Sequence, residues 1–463
     1  MAQTHFKNLD EESRALHDSW DHIARIVILV ALLTVMVWGA CSLLRWSVHL
    51  AFEALLHTTT REGSGLVGPV TLLLVLTIAG VVRGLLMRRP AWQEAAGDGV
   101  DQALENYHIT YRAEGDDPQP RYDRPAFALA GRKGLTTFLT LGTGGSGGLE
   151  APVVLISECL AAGFSRVMNI RSEYELRTYQ LAAIAAAVAT LLGAPFTAAL
   201  FAAEIAYGDR IIYRKLAYGI FAGVIAYWLN NRIHGYAPLF VGPDHAATYS
   251  LSEYAAAALV AVAVSVPIAL GFSMAMTRLR DLVGKIRPIY HAPVTSFGVG
   301  ACALVFWYAF GLRPEHVLGM GEATITAILT DDPTLGVWWV LALALVGKVL
   351  TLGLTLGGGG SAGMLVPSMV LGGVSGALMA HFINLSGLAT LDPALFAVVG
   401  IGSSLVAVIG VPLAAIALVL EVFGRSYGPP ALLACGVTYL LTLKIKIYKA
   451  QRMSPDPAID ETG

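Results

Sequence analysis

Charge is scarce in this chain. Asp, Glu, Lys and Arg together make up 14% of its 463 residues, where an ordinary soluble domain carries about 25%. The formal net charge of −2 at pH 7 gives no electrostatic attraction for a polyanion, so no nucleic-acid partner is expected. Cysteine is scarcer still. Cys41, Cys159, Cys302 and Cys435 lie scattered in or beside apolar stretches, with no metal-ligand spacing and no disulfide frame. No metal and no cofactor is expected. A cleavable leader is not expected either: the residues before Arg25 are polar, and the apolar run that follows continues to Leu44, too long for a signal peptide.

What the chain has in quantity is apolar sequence. Hydrophobic residues are 55% of the total and mean hydropathy is +0.62. Apolar stretches run nearly end to end, at 26–44, 66–87, 126–142, 152–168, 178–206, 215–229, 254–276, 294–311, 335–356, 366–386, 394–409, 411–423 and 429–443. Several fall short of the ~20 residues a perpendicular spanning helix needs. The pattern predicts an all-α integral membrane protein with tilted and interrupted helices. Polar linkers lie at 90–125 and 232–252. Lys7, Arg14 and Arg25 precede the first run, and Lys444, Lys446, Lys449 and Arg452 follow the last, so both termini are expected in the cytoplasm. The division read from these features is a cytoplasmic segment 1–25, a first half 26–230, a second half 231–450 and a short cytoplasmic tail 451–463.

The two halves repeat each other. KGLTTFLTLGTGGSGGLEAP, Lys133 to Pro152, aligns without gaps on KVLTLGLTLGGGGSAGMLVP, Lys348 to Pro367. Lys133, Thr136, Thr140, Gly145, Ser146, Gly148 and Pro152 meet Lys348, Thr351, Thr355, Gly360, Ser361, Gly363 and Pro367 at one constant offset. Downstream, GAPFTAALFAAE (Gly193 to Glu204) matches GVPLAAIALVLE (Gly410 to Glu421). Each copy is an apolar run, a glycine-rich break, and a proline opening the next run. Interrupted helices at matching places in two halves mark an ion site near the bilayer midplane. Half-helix N-termini offer unpaired N–H groups and a partial positive charge, which hold an anion without gripping it as a full cation would. An odd number of spans per half makes the halves inverted.

With these motifs the chain resembles the CLC family of chloride channels and chloride/proton antiporters, over essentially its whole length. The family's second anion-site motif stands here as Gly148-Leu149-Glu150-Ala151-Pro152, and its third as Gly363-Met364-Leu365-Val366-Pro367. The position of its first is Gly97-Asp98-Gly99-Val100-Asp101, and HVLGMGEATITAIL (316–329) resembles a family loop and helix. The resemblance implies two inverted halves and a homodimer with one pore per subunit, in contact with membrane lipids. It implies movement of an inorganic anion, chloride being the one expected, and protons as a possible second substrate. A prokaryotic inner (plasma) membrane is expected by analogy.

By the same resemblance Glu150 is the gating residue. It is the only acid in either copy of the repeat, and its mate is Leu365. An ionisable side chain at membrane depth is a functional hypothesis in its own right. The anion-binding set implied is Asp98, Gly99, Gly148, Leu149, Glu150, Ala151, Gly363, Met364 and Leu365, with Tyr448 the candidate for the family's central-site tyrosine. Two departures stand out. The family's proton-transfer glutamate falls on Ile205, which favours a passive channel over proton exchange unless Glu204 relays protons. Asp98 replaces a serine that donates to the central anion. It either donates as a neutral acid, caps the following helix, or marks an altered site for another ion. Glu204 and Glu421 read as a symmetric structural pair. Lys133 and Lys348 read as partners for glycine-loop carbonyls, with direct ion binding the alternative. The sequence Gly144-Gly145-Ser146-Gly147 also matches the G-x-S-G of intramembrane serine proteases, a remote alternative that needs a histidine base; His108 and His234 lie in loop-like segments, and only His381 is deep in an apolar one. The chain is otherwise expected not to be an enzyme.

Overall fold

The computed structural model describes residues 20–61, 65–109, 125–170, 172–207, 211–235, 239–240 and 248–443. Tyr448, the tail 451–463 and most of the 1–25 segment lie outside the described residues. Among the described residues the architecture is helical throughout, with a single isolated backbone bridge, Gly148 to Gly363.

The first series of helices is α1 (Trp20–Thr60), α2 (Val67–Leu86), α3 (Val100–Ile109), α4 (Ala126–Thr137), α5 (Glu150–Val167), α6 (Glu173–Leu192), α7 (Pro195–Tyr207) and α8 (Tyr213–His234). The second is α9 (Leu251–Val260), α10 (Val266–Gly284), α11 (Pro288–Phe310), α12 (Glu322–Leu329), α13 (Trp338–Gly357), α14 (Leu365–Ser386), α15 (Pro393–Ile409), α16 (Pro412–Leu418) and α17 (Gly428–Thr442). Six helical segments are long and apolar enough to cross a membrane, among them α1, α2, α11, α13 and α14. The shorter helices α7, α15 and α16 are the interrupted pieces the sequence predicts.

Burial sorts the helices. Helices α6 and α15 are apolar on every side and enclosed, from Leu181 to Ala189 and from Leu395 to Ile409, as a helix without a polar face must be. Helices α1, α2 and α11 turn Leu32, Leu43, Trp46, Leu74, Phe297 and Tyr308 outward, a surface suited to lipid. Where α14 crosses α15, the backbones of Gly372 and Gly400 are so close that a methyl on either would collide with the other's carbonyl. Small residues at a crossing permit this approach. Three π-helical turns, Phe138–Gly142, Ala261–Ser265 and Val419–Phe423, interrupt the regular hydrogen bonding; the first leads straight into the glycine break.

Helix α1 crosses and α2 returns, so Arg88 and Arg89 lie on the same side as the start of α1. Lys285 and Arg287, between α10 and α11, join them through the packing of α11 on α2. These cations gather at one end of the helices.

Candidate functional site

The two glycine breaks meet, and they meet reciprocally. Gly148 N–H donates to the carbonyl of Gly363 at 2.9 Å, and Gly363 N–H donates to that of Gly148 at 2.7 Å. Thr355 Oγ1 accepts the Ser146 N–H at 3.0 Å, while Thr140 Oγ1 accepts the Ser361 N–H at 3.1 Å. Within each break the same turn closes: Gly145 N–H to Thr140 O and Gly360 N–H to Thr355 O, both 2.9 Å. Backbone polar groups buried away from water need such partners, and each half supplies them to the other.

The buried lysines hold a second pair of loops. Lys133 Nζ donates to the carbonyls of Ala95 (3.3 Å) and Gly97 (2.7 Å). Lys348 Nζ donates to those of Leu318 (3.3 Å) and Gly319 (2.6 Å). Thr136 Oγ1 donates to Ala95 O at 3.3 Å, and Thr351 Oγ1 to Val317 O at 2.6 Å. Gly99, with φ +95°, packs on Leu155 and Lys133; Gly321, with φ +93°, packs on Val370 and Lys348. A side chain would strain that backbone and meet those neighbours. The loop before α3 and the loop before α12 are therefore repeat mates. The shared Gly-x-Gly of Gly97–Gly99 and Gly319–Gly321 carried that signal, and the sequence reading did not pair them.

Most of the residues singled out converge on this crossing. Glu150 heads α5, is 1% exposed, and has one carboxylate oxygen with no hydrogen-bond partner. That oxygen lies over Gly148, whose Cα also faces Pro367 and Val366 at the head of α14. Leu149, Ala151 and Leu365 are buried and Met364 is half-buried. Ala151 packs against Gly363. The first-turn amides of α5 and α14 thus open toward one small region, with the positive ends of both helix dipoles. The charged groups acting on Glu150 are Glu322, Arg45 and His49; His49 Nε2 is 3.6 Å from Glu322.

Asp98 lies in the loop before α3, where the neighbouring Gly99 packs on Leu155 of α5 and on Lys133. Its Oδ1 accepts the Val100 N–H at 3.1 Å, a local Asx turn that leads into α3 through Gly99. Tyr448 lies outside the described residues. Glu204 and Glu421 do not enter the crossing. Glu204 accepts the amides of Leu413 (2.9 Å) and Ala414 (2.7 Å) at the head of α16. Glu421 accepts those of Phe196 (3.1 Å) and Thr197 (2.8 Å) at the head of α7, and the Thr197 hydroxyl at 2.8 Å. Each half caps a helix of the other. Ile205 is fully buried beside Glu204.

Sequence reasoning missed Glu158. It sits two turns along α5 from Glu150, is fully buried, and accepts from Asn106 Nδ2 (2.9 Å) and Gln180 Nε2 (2.8 Å). An acid inside the apolar run 152–168 was the available signal. Ser146, the candidate protease nucleophile, has a buried hydroxyl without a hydrogen-bond partner, so no histidine is in place to activate it. Among the described residues no group of acids, histidines and cysteines is arranged to hold a metal.

Two inverted halves, interrupted helices and reciprocal capping across a shared crossing define an integral membrane transport protein. The model of the "Voltage gated chloride channel" family matches residues 78–443, and the chain belongs to that family, the CLC anion-transport proteins. It is 24% identical over 323 residues to a "Chloride/fluoride channel protein" of Pseudomonas syringae pv. tomato, covering 67% of this chain and 66% of that one. The fold matches a solved CLC-type fluoride/proton antiporter with TM-score 0.72, 19% identity, and coverage of 94% of this chain and 100% of the other. It matches a slow cyanobacterial Cl−/H+ antiporter with TM-score 0.75, 18% identity, and coverage of 95% and 98%.

Proposed function

We propose that the protein conducts chloride passively across the membrane, with Glu150 as its gate. The observation that carries this reading is the Glu150 carboxylate. It is buried at the head of α5 with an unpartnered oxygen, between two sets of first-turn amides. A carboxylate suits the same N–H cradle as a halide, so it occupies the site when ionised and vacates it when neutral. The amides of Leu149, Glu150 and Ala151 serve an outer anion position, and those of Met364 and Leu365 a central one. Asp98 and Gly99 shape the approach by setting the start of α3. Passive conduction rests on Ile205, which cannot carry a proton, and on Glu204, whose two oxygens are already engaged by Leu413 and Ala414. A homodimer in a prokaryotic inner membrane completes the proposal, on the strength of the family and of its bacterial members.

A second reading, chloride/proton exchange, is favoured by one observation. Glu158 is a buried carboxylate on the same helix as Glu150, and Asn106 on α3 links it to the Asp98 loop. The two solved structures it resembles, both antiporters, agree with that reading, and the chloride/fluoride channel protein of Pseudomonas adds fluoride as a competing anion.

Simultaneous chloride and proton fluxes from purified protein in liposomes test both. A chloride gradient without a proton gradient should give chloride movement and no uphill proton movement. Uphill protons would replace the channel reading with exchange, and fluoride flux without chloride flux would change the substrate.

A further inference from the structure

A cavity of about 540 Å³ opens between the end of α2, the start of α11 and the second glycine break. Arg83, Arg88 and His291 line it, together with Gln93 and the backbone of Gly358 and Gly359; no acid is among its lining residues. Arg83 is the unusual member. It is 2% exposed, and its guanidinium donates only to neutral oxygens, Thr140 Oγ1 at 3.2 Å and Ser296 Oγ at 3.4 Å. Its Nε is buried without a partner. Among the described residues no carboxylate pairs with it. A buried charge without a counter-charge is costly by several kcal/mol, and here the missing counter-charge has a cavity to occupy.

We propose that this cavity binds a phosphate group. Arginine presents parallel donors that match phosphate oxygens two at a time, and two arginines converge here. The volume is many times the ~30 Å³ share of one water, far more than a bare halide fills. Met87, Pro288, Ile289 and Ala292 add an apolar wall beside the cations. The cavity lies at the ends of two spans on the face that gathers Arg88, Arg89, Lys285 and Arg287, where basic pockets between spanning helices meet anionic headgroups. Either a phospholipid headgroup or a soluble phosphate supplies this chemistry. The inference stands apart from the transport reading, because it concerns a different cavity and a different anion.

Thermal unfolding of the purified full-length protein in detergent tests it, with sodium phosphate, phosphatidylglycerol and sodium chloride titrated separately at matched ionic strength. Phosphate is expected to raise the unfolding midpoint if the source is soluble, and phosphatidylglycerol alone if it is a lipid. The titration midpoint should weaken about tenfold in Arg88→Gln, the loss of one charge-assisted contact, and further in Arg83→Gln. Arg88 is exposed, so its variant keeps the test sound if the Arg83 variant does not fold. Equal stabilisation by chloride, no stabilisation by either phosphate source, or an unchanged midpoint in Arg88→Gln would each overturn the proposal.

Discussion

The two glycine breaks share a scaffold and differ in cargo. Both are closed by a threonine and joined through one backbone bridge, and in each half a lysine holds the neighbouring loop. Only the first carries an acid, Glu150, where the second has Leu365; only the first is preceded by an aspartate, Asp98, where the second has Met320. The parts that obey the pseudo-two-fold hold backbone groups. Of the parts that violate it, Glu150 heads α5 with an unpartnered carboxylate oxygen. Symmetry in this molecule therefore marks the scaffold, and the proposed gate lies where the symmetry breaks.

The sharpest way to break that comparison is to exchange the asymmetric pair. Glu150→Gln should abolish the pH dependence of anion flux entirely, because the amide neither ionises nor imitates an anion. Leu365→Gln should leave the pH dependence in place, since it adds a polar group to the half that has no gate. Flux assays on liposomes from pH 4 to pH 8 decide it. A Glu150→Gln protein that still responds to pH, or still moves protons, would remove Glu150 from its role.

Next in size is the reciprocal capping. Glu204→Ala leaves two amides of α16 without acceptors in a site 2% exposed, and should cost about 3 kcal/mol. Glu421→Ala orphans the mates on α7, but Glu421 is half-buried and the Phe196 amide is exposed, so water replaces part of the loss and about 1–2 kcal/mol is expected. Unfolding midpoints of the two variants sharpen the comparison. Equal losses would mean that a partner surface covers the α7 end, and a negligible loss for Glu204→Ala would undo the capping account.

The repeat, the breaks, Glu150 and the symmetric role of Glu204 with Glu421 were legible because each leaves a mark at fixed sequence spacing. A glycine break, a proline and an acid read the same in both copies. The pairing of the Asp98 loop with the Met320 loop was not legible, because insertions between loop and lysine change the offset while the contact is preserved: Lys133 finds Gly97, and Lys348 finds Gly319. Glu158 stayed hidden for a different reason. Its partners Asn106 and Gln180 come from α3 and α6, and only the fold brings those amides to one carboxylate. Arg83 falls inside the apolar run 66–87, and only the packing of α11 shows that its guanidinium is enclosed.

The smallest effect comes from two serines that the repeat alignment treats as equals. Ser361 Oγ shares a hydrogen bond with Thr137 Oγ1 at 2.8 Å in a buried site. The mate of Thr137 is Leu352, which offers nothing to Ser146, and the Ser146 hydroxyl has no partner. Ser361→Ala should therefore destabilise by about 1 kcal/mol, the net worth of a buried neutral hydrogen bond with one partner left behind. Ser146→Ala removes a hydroxyl buried without compensation and should be neutral or slightly stabilising. A double-mutant cycle with Thr137→Val isolates the pair: coupling near 1 kcal/mol is expected with Ser361, and none with Ser146. Coupling at Ser146 instead would mean that its hydroxyl is engaged after all.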